Sequence, residues 1–327
     1  MLRKALFFLL PAIAAVVVLA WLLSPVVLAR FNLTPPIAAP KAQSPEKAPQ
    51  GKPLNILIVG LDKATSINGP PRPAPWHSDV IMLVRVDPVR QSVNCLSIPR
   101  DTRVYIKGYG LEKITHAHAY GSMPLTIDTV EQFTGIKIDR YISLDYVVFA
   151  RLVDMLGGIE VNVPKELKTK YFDFKPGKQM MNGRQAYVYI NNRSEPMADI
   201  DRIKRQHYFF NALLKNLKKH VSALNLAKFY FEIRKNADTS FTFSDAAQLA
   251  MFAGRLKLKN VNVETVPGRA EYINGISYWI TDQKALKEQE NRLFGSTQEG
   301  SLRNHKACTL IAARFRQSGN RSSDSRV

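Results

Sequence analysis

"DVIMLVRVDPVRQSVNCLSI", Asp79 to Ile98, holds two apolar runs separated by "DPVRQ". Each run is the length of a strand, and Pro88, whose backbone φ is preset, marks a turn between them. A third run, "LNILIVG" from Leu54 to Gly60, stops at a glycine and reads as another buried strand. These three segments predict the centre of a sheet.

The pattern changes downstream. Residues 123–134 read as a helix with Pro124 near its start and Gly135 as its stop. Residues 146–156 read as a second helix, capped by Asp145 and ended by Gly157-Gly158. "RYISLD" and "IEVNV" supply strands on either side of it. From Ile200 to about His220, Ile203, His207, Phe210, Leu214 and Leu217 share one helical face. A helix over 245–256, strands over 261–266 and 272–280, and a helix over 283–294 complete the pattern. Strands alternating with helices predict an α/β layered domain over 54–294.

The chain has 327 residues, with 46 Lys+Arg against 27 Asp+Glu and a formal net charge of +19. Such an excess favours anionic partners without choosing among them. The N-terminus narrows the choice. "MLRK" precedes an uncharged stretch, Ala5 to Ala29, long enough to cross a bilayer core of about 30 Å as a helix. Its length favours an uncleaved anchor over a cleaved signal peptide. Arg3 and Lys4 favour an N-terminus inside and the main domain on the extracytoplasmic side. Residues 1–30 are therefore expected as stub and anchor, 31–53 as a Pro/Ala-rich linker, and 295–327 as a disordered basic tail. Cys95 and Cys308 make no disulfide framework and read as free thiols.

Several charges stand at strand ends. Asp62 follows the first strand, Asp79 opens the second, and Arg100 and Asp101 close the third in "LSIPRD". Neighbouring strands would gather them along one rim, where sites in open α/β sheets lie. Two carboxylates without a Cys/His cluster suit a hard ion such as Mg²⁺, and arginine suits phosphate oxygens. Spacing alone favours the plainer reading, in which the aspartates cap turns and Arg100 pairs with Asp101. A second basic group holds Arg193, Arg202, Arg205 and Gln206; Arg202 and Gln206, four apart, share a helix face, and Arg205 points elsewhere. His116 and His118 in "THAHAY" lack a third ligand and read as structural or surface residues. No nucleophile elbow or Walker-type loop is present.

In their order, the stretches "NILIVGLD", "SDVIMLVRVDP", "LSIPRDTRV", "GYGLEKITHAHAYG", "LVDMLGGIEVNVP", "MNGRQAYVYINNR" and "DIDRIKRQHYFFNALL" resemble the LytR–CpsA–Psr family of cell-envelope phosphotransferases. The resemblance implies helices packed on both sides of a central mixed β-sheet, with a hydrophobic tunnel for a polyprenyl chain. It implies transfer of a phosphate-linked glycopolymer from a polyprenyl-pyrophosphate carrier to a cell-wall acceptor such as peptidoglycan. Asp62 and Asp79 would hold Mg²⁺. Arg100, Lys113, Arg193, Arg202 and Gln206 would bind the pyrophosphate, and Asp79 with Arg100 would carry catalysis. The chain departs from the family at two positions, with His77 and Asn191 where arginine is usual, and Arg72 is a candidate replacement for one of them. Those departures leave a non-catalytic binder of envelope lipid or polymer as the alternative. Transcriptional attenuation is disfavoured by the predicted topology and the lack of a helix-turn-helix pattern, so no nucleic-acid partner is expected.

Overall fold

The computed structural model describes residues 52–63, 72–192, 198–220 and 223–295. The expected anchor over 5–29, nearly all of the linker, the basic tail, Arg193 and Cys308 lie outside the described residues. No helix among the described residues is long and apolar enough to cross a membrane.

The three runs read first are strands β1 (Leu54–Leu61), β2 (Ser78–Asp87) and β3 (Ser92–Ser97), joined antiparallel. A hairpin follows, β4 (Arg103–Ile106) with β5 (Gly110–Lys113), then helix α1 (His116–Thr134). Strand β6 (Arg140–Asp145) lies parallel to β1. Beyond it come α2 (Tyr146–Met155), β7 (Ile159–Val163), the short pair β8 (Leu167–Lys168) and β9 (Asp173–Phe174), β10 (Gly177–Met181), and α3 (Gly183–Asn191). Helices α4 (Ala198–His220) and α5 (Ala223–Asn236), strand β11 (Asp238–Thr239) and helix α6 (Phe243–Arg255) follow. The described chain closes with β12 (Val261–Thr265), the hairpin β13 (Gly268–Ile273) and β14 (Ile276–Thr281), and α7 (Gln283–Phe294). The central sheet has six strands in the order β11-β6-β1-β2-β3-β12. It is mixed, because β12 also runs parallel to β3 while β11 is antiparallel to β6.

Strand alternation explains why β1 to β3 read as nearly continuous apolar runs: both faces are covered. Leu57, Val59, Leu61, Ile81, Leu83 and Leu96 face a core completed by Ala117, Met123 and Val130 of α1 and by Leu286 and Leu293 of α7. Ile56, Met82, Val84 and Cys95 face the other way, against Phe252 of α6 and Phe210 and Leu214 of α4. A third core joins α2, β7, α3 and α4 through Val153, Ile159, Val161, Ala186, Tyr189 and Phe209. There α3 lies so close to α2 that a Cβ on Gly183 would stand 2.0 Å from the Ala150 carbonyl oxygen. Strand β6 is fastened to α6 by a buried ion pair, in which Arg140 Nε donates to Asp245 Oδ2 at 2.8 Å.

Two expected elements take a different form. The helix expected over 123–134 starts at His116 and breaks at Gly121 and Ser122. Pro124 supplies no N–H and its ring would clash with the carbonyl one turn earlier, so the break falls in that preceding turn. The strand expected over 272–280 is a hairpin. Asn274 and Gly275 both have positive φ, 52° and 77°, which suits the tight turn between twisted strands.

Candidate active site

The C-terminal ends of β1, β3 and β6 and the start of β2 lie on one rim of the sheet, as the pairing directions require. Asp62 continues β1 past Leu61. Alternation from Ile56, Ile58 and Gly60 puts it on the sheet face that α4 and α6 cover. Asp79 arrives there by another route. Gly60 pairs with Val80 and Leu61 with Ser78, so Asp79 is the extra residue of a β-bulge. Without the bulge it would share the face of Ile81 and Leu83. Bulges of this kind re-aim a side chain beside a site.

Asp62 and Asp79 both line a cavity of about 360 Å³. Its walls are almost wholly apolar. Ile58 and Met82 come from the sheet, Phe149 and Leu152 from α2, Ile190 from α3, Phe209 and Leu213 from α4, and Phe229 and Ile233 from α5. The polar lining residues are few: Asp62, Asp79, Asp145, Asn191 and Gln206, with the tyrosines Tyr146 and Tyr187. Gln206 is buried, and its amide nitrogen has no hydrogen-bond partner among the described residues.

The charges around the rim form two groups. Arg100 Nη1 donates to Asp79 Oδ1 at 2.7 Å, and Arg100 Nε lies 3.7 Å from Asp101 Oδ2. Lys113 Nζ donates to the other oxygen of Asp101 at 2.7 Å. Lys113 is thus linked to Asp79 through Asp101 and Arg100. The backbone of Arg100 is fixed by its turn: Thr102 donates its N–H and its hydroxyl to the Pro99 carbonyl at 2.9 and 2.6 Å, and Thr115 N–H donates to the Arg100 carbonyl at 3.1 Å. In the second group, Arg72 Nη1 donates to Asp62 Oδ2 at 2.6 Å and the His77 N–H donates to Asp62 Oδ1 at 2.7 Å. Arg72 therefore brings a guanidinium to the rim that carries His77. The buried His118 donates from Nδ1 to the Trp76 carbonyl at 3.0 Å, and burial pulls its pKa below the ordinary histidine range.

On α4, Arg202 is buried one turn before Gln206 on the same face. Arg205 turns away from the cavity. Its Nε donates to the Tyr189 carbonyl at 2.9 Å and its Nη2 to the Asn192 carbonyl, clamping the end of α3 to α4. Asn191 lines the cavity and donates from Nδ2 to the Tyr187 carbonyl at 3.3 Å.

Of the residues singled out in the sequence, Asp62, Asp79 and Gln206 share the cavity wall, and Arg100 is joined to it through Asp79. The plainer reading of Arg100 as a partner of Asp101 describes only its longer contact. Asp145 was read only as a helix cap. It does cap α2, accepting from the Val147 and Val148 N–H groups, and it also lines the cavity beside Lys63, 4.0 Å away. The sequence signal for that second position is its place at the end of "RYISLD", a strand end like that of Asp62. Among the described residues no group of three or more His, Cys, Asp or Glu side chains is arranged to hold a metal. Asp62 and Asp79 offer on one cavity wall the carboxylate oxygens that a hard ion such as magnesium takes, and each is engaged by an arginine, Arg72 and Arg100.

Comparison with known proteins bears on this geometry. The sequence profile of the LytR_cpsA_psr family matches residues 36–295. A polyisoprenyl-teichoic acid–peptidoglycan teichoic acid transferase, TagU, of Halalkalibacterium halodurans is 30% identical over 245 residues, covering 74% of this chain and 78% of that protein. TagU of Bacillus licheniformis is 29% identical over 238 residues, 72% of this chain and 75% of the relative. Among solved structures, Bacillus subtilis TagV superposes with a TM-score of 0.65 at 27% identity, covering 76% of this chain and 100% of that one. TagT bound to LIIa-WTA superposes with a TM-score of 0.63 at 26% identity, covering 76% and 92%.

Proposed function

The chain belongs to the LytR_cpsA_psr family, and we propose that it is a membrane-anchored phosphotransferase that moves a phosphate-linked glycopolymer from a polyprenyl-pyrophosphate carrier to a cell-wall acceptor such as peptidoglycan. The observation that carries this reading is the pairing of an apolar cavity with a charged rim: a prenyl chain suits the walls and a diphosphate suits the arginines. The uncharged stretch from Ala5 to Ala29 would anchor the domain on the extracytoplasmic side, close to its lipid substrate.

In this mechanism the chain positions and neutralises; it forms no covalent bond to substrate. Asp62 and Asp79 would hold Mg²⁺, which when bound withdraws charge from phosphate oxygens. Arg100, fixed by the Pro99–Thr102 turn and already oriented by Asp79, faces the phosphate with donors set before substrate arrives. Arg202, Gln206 and Arg193 bind further diphosphate oxygens, and Arg72 supplies charge near His77. Lys113 acts at one remove, by holding Asp101 against Arg100. Asp79 takes the proton of the acceptor hydroxyl as its oxygen attacks phosphorus and the prenyl phosphate departs.

The full-length protein, in detergent with Mg²⁺ and a polyprenyl-pyrophosphate-linked oligosaccharide, should transfer the phosphate-linked glycan to peptidoglycan fragments. Arg100→Ala should lower that rate by about 10²–10³-fold while the melting curve stays cooperative. An unchanged rate overturns the assignment. His77 and Asn191 favour a second reading, a non-catalytic lipid binder. Tight binding without turnover, not restored by His77→Arg with Asn191→Arg, would establish it instead.

A further inference from the structure

An aromatic ladder leaves the rim where Asp62 sits. His77, whose Nδ1 is 3.8 Å from Asp62 Oδ2, meets His116 edge-on with ring centroids 5.4 Å apart. His116 lies 5.7 Å from Tyr120, and Tyr120 stacks on Tyr109 at 4.1 Å with planes only 14° apart. The rings come from three places in the chain: the lead into β2, the first turns of α1, and the β4–β5 turn. Single exposed aromatics are ordinary, but these are joined in sequence. Tyr109 and Tyr120 end the ladder 53% and 40% exposed, so neither is there to fill a core. Glu112 flanks them, its Oε2 2.9 Å from His116 Nδ1, with its carboxylate still partly open to solvent.

We infer that the Tyr109–Tyr120 stack is a sugar-binding platform that receives a pyranose unit of a glycan as it leads away from the phosphate site. The face of a pyranose ring carries C–H groups whose slight positive charge matches the negative face of a tyrosine ring. Phenol hydroxyls and the Glu112 carboxylate beside the stack match sugar hydroxyls, a mixture that an acyl chain or bilayer interior would leave unsatisfied. The ladder starts at Asp62, so a sugar on the platform belongs to the same complex as a phosphate at the rim. This inference rests on the pyrophosphate reading, and the sugar can come from the donor or from the acceptor.

Three ligands separate these possibilities, each titrated onto the full-length protein in detergent: a prenyl pyrophosphate without sugar, the same lipid carrying an N-acetylhexosamine disaccharide, and a free β-1,4-linked N-acetylglucosamine tetramer. Tyr109→Ala and Tyr120→Ala should weaken a sugar-bearing ligand roughly five- to tenfold. Tyr120→Phe, which keeps the ring face and removes only the hydroxyl, should lose less affinity than Tyr120→Ala, and the sugar-free lipid should bind all variants alike. A response confined to the disaccharide lipid assigns the platform to the donor, and one confined to the tetramer assigns it to the acceptor. Both sugar ligands binding the alanine variants as tightly as wild type overturns the inference. So does an equal loss for the sugar-free lipid, or no binding of either sugar ligand to wild type. A tyrosine-dependent tetramer with no binding of the sugar-free lipid would refute the pyrophosphate reading and still support the platform.

Discussion

Gln206→Leu should make the protein more stable and worse at binding its lipid. The buried Gln206 amide nitrogen has no partner among the described residues, although the side chain lies on the cavity wall beside Phe209 and Phe210. An unsatisfied buried donor costs about 1–3 kcal/mol, and leucine fills a similar volume without that penalty. At roughly 2–4 °C per kcal/mol for a domain of this size, the apo melting temperature should rise by several degrees. Binding should move the other way. A hydrogen bond to a charged oxygen contributes about 1.5–3 kcal/mol, so affinity for a prenyl pyrophosphate should fall about 10- to 150-fold. Differential scanning fluorimetry reads the first change, and titration with a short-chain prenyl pyrophosphate reads the second. A prenyl alcohol of the same length supplies the control, because it fills the apolar walls without a diphosphate and should bind both proteins alike. A lower melting temperature together with undiminished pyrophosphate affinity would refute the reasoning, because Gln206 would then be an ordinary core residue.

Two buried carboxylates predict opposite pH responses. Burial raises the pKa of Glu290 to about 7, against the weaker pull of Lys287 3.4 Å away, so its folded-state value lies above its unfolded one. Stability from this group is whole at low pH and is lost as pH rises from the unfolded value near 4.5 toward 7, and Glu290→Gln should raise the neutral-pH melting temperature and flatten that slope. For Asp245, burial alone would raise the pKa, but the hydrogen bonds from Arg140 and Thr242 outweigh it and hold the pKa below the usual carboxylate range. Its stabilisation is present above the unfolded pKa and lost as pH falls through the lower folded one; Arg140→Met, which strands that buried charge, should cost about 3–5 kcal/mol in urea denaturation at neutral pH.

Much of the fold was legible because both faces of the central strands are buried. A strand packed on two sides must be apolar throughout, and β1, β2 and β3 announce themselves for that reason. Helices α2, α6 and α7 begin at capping side chains, Asp145, Thr242 and Asp282, and two of these caps stood near the expected starts. Helix α5 is hard to read in the sequence, because "ALNLAKFYFEIRKN" lines the cavity with half-buried Phe229 and Ile233 while leaving Phe231 exposed, which blurs the stripe. The residues of α1 before Gly121 carry no such signal, because Pro124 in the sequence marks a helix start rather than a helix interior.

By itself the sequence determined the α/β class, the strand-end positions of Asp62, Asp79 and Arg100, and the shared face of Arg202 and Gln206, since each follows from a period of two or of 3.6. Tertiary structure alone decided that Asp79 turns to the cavity, because a bulge depends on the register of two strands and neither strand carries it alone. It likewise decided that Arg100 pairs more closely with Asp79 than with its neighbour Asp101, and that rings from three separate parts of the chain meet in one ladder from the rim. Such contacts join residues far apart in the chain, and local periodicity holds no record of them.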